Sequence, residues 1–169
     1  MDKSQTFTKN DWVVHVNYGI GQIKGTEVKS ISGDPTRYYR IETHNSTYWL
    51  PVDQIDSDLL RPLSTEEEMS RAVATLRKPP QELSTNLSIR QSTIKSAKQR
   101  NTIRAIARIV RDLRAYKRLK GGLNQTESND FQSCKERLIE EWAIVTDANS
   151  TEIASELDDI LDQHQIKSN

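Results

Sequence analysis

The chain has 169 residues, 34% hydrophobic and 28% charged, and its 24 basic and 24 acidic side chains give a formal net charge of zero. That length holds one domain or two small ones, and no apolar run is long enough to span a bilayer. A single cysteine, Cys134, excludes an internal disulfide framework, and the N-terminal MDKSQTFTKND lacks an apolar signal core, so a cytoplasmic protein is expected.

Asp11–Val16 (DWVVHV) is rich in strand-favouring residues. Tyr18-Gly19-Ile20-Gly21 turns the chain. Gly19-x-Gly21 lacks the third glycine and following helix of a nucleotide-binding fingerprint, so hairpin geometry is the reading. Gln22–Lys29, Arg37–Glu42 (RYYRIE) and Thr47–Leu50 (TYWL) read as further strands. They are separated by turn signals at Ser32-Gly33-Asp34-Pro35 and His44-Asn45-Ser46. After an irregular VDQID, the strand count of four or five predicts a small, strongly curved sheet or barrel.

Ser64 with Glu67 predicts a capping box for a first helix whose apolar face is Met69, Ala72, Val73 and Leu76. Pro79-Pro80 ends it, and PPQELSTN reads as a linker. A short helix over about 88–99 precedes a long basic helix over about 102–119, which Gly121-Gly122 closes. Asn124 with Glu127 and Asn149 with Glu152 cap two more helices. Their inward faces are Phe131, Cys134, Leu138, Trp142 and Val145, then Ile153, Leu157, Ile160 and Leu161.

The neutral total conceals segregation: residues 81–123 carry 11 basic and 2 acidic side chains, and residues 124–169 carry 3 basic and 11 acidic. Between Arg90 and Lys120 the apolar residues Ile103, Ile106, Ala107, Val110 and Leu113 recur at helical spacing, with cations over the remaining surface. A run this long and this poor in acids suits a polyanion, nucleic acid being the commonest in a cell; the alternative is a solvated helix face. Catalytic chemistry is missing. His15, His44 and His164 are scattered and make no metal spacing with one cysteine, and no nucleophile–base pair or phosphate loop occurs. Neither an enzyme nor a cofactor is expected.

The order of parts is specific. DWVVHVNYGIGQI opens and YWLPVDQI closes a small β domain, a helix ending LRKPP follows, and a basic helical bundle contains IVRDL. This resembles the CarD/CdnL family of bacterial transcription regulators over nearly the whole chain. The N-terminal part is also similar to the polymerase-interacting module of transcription-repair coupling factor, but no helicase motif follows. The resemblance implies an α+β protein. A Tudor-like β-barrel over residues 1–63 would bind the RNA polymerase β subunit, partly by sheet pairing. Residues 64–80 would be a connecting helix and linker, and residues 81–169 a helical domain contacting promoter DNA at the upstream edge of the melted bubble.

Lys29 and Trp49 stand where the family places basic polymerase-contacting residues, and Arg40 completes that expected set. Trp49 lacks the charge, so it is read as an aromatic anchor or as barrel core. Counting back without gaps from Val110-Arg111-Asp112-Leu113, the family's DNA-wedging Trp falls on Leu87. Leu is among the wedge residues of architectural proteins, and the alternative is that Leu87 caps the bundle core. Family Arg and Lys positions fall on Ile89 and Ser92, while Arg90 is retained. Lys95, Lys98, Arg100, Arg104 and Arg108 are the further expected phosphate contacts. The partners implied are the polymerase β subunit and promoter DNA bound without sequence preference, by a monomer and with no membrane. The rival reading is an adaptor whose basic helices bind an acidic protein or RNA.

Overall fold

β-Branched and aromatic residues alternating with polar ones build five antiparallel strands in the first of two units, residues 1–63. The computed structural model describes residues 6–31 and 33–164; Ser32 of the expected turn lies outside them. The strands are β1 (Trp12–His15), β2 (Gly19–Lys29), β3 (Thr36–Glu42), β4 (Thr47–Pro51) and β5 (Leu60–Pro62), in the sheet order β4-β3-β2-β1-β5. β2 begins at Gly19, earlier than its apolar residues suggest, because Gly19 and Gly21 pair with His15 and Val13. Gly19 takes φ +74° at the turn. Gly21 is required by packing: a Cβ there would stand 2.6 Å from Ile41 Cγ2.

One irregularity decides which side chains face outward. The β2–β3 register slips between Ile23 and Gly25, a β-bulge at Lys24. Ile23 lies opposite Ile41 on the core face, but beyond the bulge Thr26 lies opposite Tyr39, so Glu27 and Lys29 turn to the other face. Without the extra residue, strand alternation would place Glu27 and Lys29 with the core. The core itself is Phe7, Val13, Ile23, Tyr39, Ile41, Tyr48 and Leu60. His15 is buried and packs edge-on to Tyr48, while its Nδ1 accepts from the N–H groups of Asn17 and Tyr18.

The second unit, residues 64–169, is helical. It comprises α1 (Glu66–Arg77), α2 (Leu87–Arg100), α3 (Ile103–Lys120), α4 (Gln125–Thr146) and α5 (Ser150–Gln163). The α+β class is as expected, and the apolar stripes named above form one core. The cap of α1 is Thr65, not Ser64: Thr65 Oγ1 accepts from Glu68 N, and Glu68 reaches back to the Thr65 N–H. Ser64 is engaged elsewhere, both its N–H and its hydroxyl donating to Glu141 of α4. PPQELSTN is packed rather than free: Leu83 is buried in the core, and the Gln81 N–H donates to Asp112 Oδ1 at 2.9 Å. Asn101, at φ +54°, joins α2 to α3 through a two-residue turn.

Candidate functional site

On the outer face of the first unit the bulge brings together all three residues expected to contact polymerase. Arg40 and Trp49 are directly opposite on β3 and β4. Lys29 Nζ lies 3.4 Å from the centre of the Trp49 ring. Glu27 holds the group together: it accepts from Trp49 Nε1 at 3.1 Å and Arg40 Nε at 3.2 Å, and its carboxylate is 3.9 Å from Lys29. Arg40 Nη1 also reaches Glu42 at 3.0 Å. Trp49 is 37% exposed, so the barrel-core reading is overturned; its neighbour Tyr48 takes the core position. Exposed ion pairs and cation–π contacts of this kind contribute about 0–1 kcal/mol each. Their consequence is orientation, since the indole is held flat under an ammonium before any partner arrives. Glu27 was absent from the expected set, although its i, i+2 relation to Lys29 on one strand was a usable signal.

In the second unit α4 and α5 pair with four of the eleven cations between Arg90 and Lys120, and Asp112 of α3 itself pairs with a fifth. Arg90 is only 7% exposed. Its Nε and Nη2 donate to Glu127 at 2.8 and 2.9 Å, its Nη1 donates to Ser84 O at 2.9 Å, and its guanidinium lies 4.5 Å from the Tyr116 ring centre. The hydrogen bonds to Glu127 raise its pKa above the ordinary arginine value, against the opposing effect of burial. Arg90 is thereby removed from the phosphate-contacting set: its donors are spent on Glu127 and the backbone. Lys98 is half-buried and pairs with Asp130 at 2.8 Å. Arg111 pairs with Asp112, and Arg114 and Arg118 share Asp162.

Lys95, Arg100, Arg104 and Arg108 have no ion-pair partner among the described residues. Arg100 and Arg108 line a groove of about 940 Å³ between α2 and α3, with Ile89, Ser92, Thr93 and Ser96. Arg104 and Arg108 are one turn apart on α3. Leu87 is 46% exposed and does not cap the core; Ile89 is 56% exposed. At ~100° per residue, Leu87 shares the Lys98 side of α2 and stands roughly 140° from Arg100. The structure therefore gathers Ile89, Arg100 and Arg108 and leaves Leu87 on another face. Among the described residues no group of three His, Cys, Asp or Glu is placed to hold a metal, and no helix is long and apolar enough to cross a membrane.

A Tudor-like sheet carries an oriented aromatic–cation patch, and a helical unit with an arginine-lined groove follows it in the chain. Residues 7–64 match the CarD-like/TRCF RID domain, and residues 71–158 match the CarD C-terminal domain. The chain belongs to the CarD family and is an RNA-polymerase-interacting transcription factor. No curated protein matches it significantly.

Proposed function

We propose that the protein tethers itself to the β subunit of RNA polymerase through the Lys29–Trp49–Arg40 face and the β4 edge. Its α2–α3 groove then contacts the phosphate backbone of promoter DNA at the upstream edge of the bubble. The observation that carries this reading is selective neutralisation: Arg90, Lys98, Arg111, Arg114 and Arg118 have acid partners, whereas Arg100, Arg104 and Arg108 have none among the described residues. Arg100 and Arg108, sharing the groove with serine and threonine hydroxyls, suit phosphate oxygens, which give position and affinity but no sequence readout. The free monomer, in the cytoplasm, binds DNA weakly and without sequence preference. Two weak contacts in one chain act together through effective concentration. A DNA contact available only in the open complex shifts melting toward that state.

Footprinting of a polymerase–promoter complex with and without the protein tests this. Protection of the upstream bubble edge that disappears when Arg100, Arg104 and Arg108 are changed to Gln is the expected result. The second reading, an adaptor that binds an acidic protein or RNA, is favoured by Leu87 standing where the family wedges an aromatic ring. It predicts an unchanged footprint.

A further inference from the structure

Arg111, Arg114 and Arg118 recur along α3 and converge on a recess of about 660 Å³ that also takes in Leu119, Leu161 and His164. It shares no residue with the α2–α3 groove. Arg111 is 4% exposed and already satisfied, donating to Thr75 O at 2.9 Å and Asp112 at 2.8 Å. Arg114 and Arg118 pair with acids instead, Arg114 Nη1 also standing 3.9 Å from Asp158 Oδ1. Both direct Nη2 at the same oxygen, Asp162 Oδ1, at 2.8 and 2.6 Å. Arg118 Nη1 is buried and has no acceptor among the described residues. A guanidinium carries five N–H donors, and a buried donor without a partner marks a place where an acceptor is missing. His164 Nε2 lies 2.6 Å from Leu76 O; a carbonyl only accepts, so this nitrogen donates and the ring is anchored at the wall.

We propose that this recess binds a small phosphate ester of nucleotide size. Its phosphate oxygens accept from the Arg114 and Arg118 nitrogens that now hold Asp162, and its less polar body lies on Leu119. Guanidinium forks match phosphate oxygens two at a time. Asp162, half-exposed at the rim, is the acceptor that the phosphate replaces. The volume falls in the ~300–1,000 Å³ range of small-ligand sites. A recess of this size suits a small mobile ligand better than the phosphates of a rigid duplex.

Thermal unfolding of the full chain at constant ionic strength tests the proposal, with ADP, GDP, inorganic phosphate and a short DNA duplex as probes. ADP or GDP at tenfold excess over its dissociation constant should raise Tm by about 3–6 °C, and inorganic phosphate should raise it less. Arg118→Gln and Arg114→Gln should each abolish the nucleotide shift, whereas Arg104→Gln keeps it. The unliganded transitions of these variants, recorded in the same runs, show whether each folds. No shift with either nucleotide overturns the proposal, as does an equal loss in Arg104→Gln, which marks unspecific charge attraction. A phosphate shift as large as the nucleotide shift overturns the ligand class. Duplex DNA should act independently of Arg118, so the promoter-contact reading stands or falls separately.

Discussion

Replacing Arg90 by Ala is expected to damage folding far more than nucleic-acid binding. Glu127 is 1% exposed and receives both nitrogens of the Arg90 fork together with Asn124 Nδ2 at 2.6 Å. Removing the arginine strands a carboxylate in the interior, a loss of about 3–5 kcal/mol for a buried pair broken on one side. The Ser84 carbonyl and the face of Tyr116 lose a partner as well. Domain stabilities are ~5–15 kcal/mol, so roughly a fifth or more of the total is at stake. With a urea slope of ~2 kcal/mol per molar, the midpoint should fall by about 1.5–2.5 M. Urea titration followed by far-ultraviolet circular dichroism measures this, the helices of the second unit dominating the signal. The double change Arg90→Met with Glu127→Leu removes both charges and should recover most of the loss. Because Arg90's pKa is raised, the pair's contribution is complete below the ordinary arginine value and is lost only as pH climbs through the folded one, so no loss should occur between pH 6 and 9. A midpoint shift below about 0.5 M, with weakened DNA binding in the polymerase complex, would refute the reasoning and return Arg90 to the contact surface.

Changing Arg100, Arg104 and Arg108 together to Gln should leave the urea midpoint nearly unmoved. If each contacts one phosphate, it should lower the log–log salt slope of DNA binding in the polymerase complex by about 2.7. Trp49→Ala should weaken pull-down of the polymerase β subunit with little effect on stability, since the ring lies outside the core; Tyr48→Ala should unfold the sheet. Burial raises the Cys134 thiol above its ordinary 9.0. Stability held by the neutral thiol should therefore be complete below about pH 9 and fall as pH rises from there through the folded pKa. Cys134→Ala, though less stable overall, should lack that component of the alkaline decline in urea midpoints. Gly21→Ala should destabilise the β unit through the Ile41 clash, read as a lower melting temperature in near-ultraviolet circular dichroism.

Periodicity carried most of the helical unit into view. The faces of α3 and α5 were readable because their apolar residues repeat at three and four, and Asn124 and Asn149 cap where a cap was expected. Ser64 and Thr65 were locally equivalent, each followed three residues later by Glu. The choice between them is made by Glu141, 77 residues away in sequence. The same distance effect hid Arg90. Along the chain its charge looks like any other in the basic stretch, and only α4, by presenting Glu127, turns it inward. The aromatic–cation patch of the first unit was half legible. Tyr48 and Trp49 alternate, so one must face out, but either ring suits a core. The bulge at Lys24, which sets the facing of Glu27 and Lys29, has no local signature beyond a single glycine.

The Arg90–Glu127 pair ties two helices through one interaction, and evolution feels such a tie as a constraint on joint change. Either residue can be exchanged only with its mate, whereas Arg100, Arg104 and Arg108 can each drift or migrate without a penalty to the architecture. Among relatives of this chain the two positions should covary, while those three arginines should wander from turn to turn. An arginine that persists at position 90 then reports on how the domain is assembled, and it is a poor guide to what the domain touches.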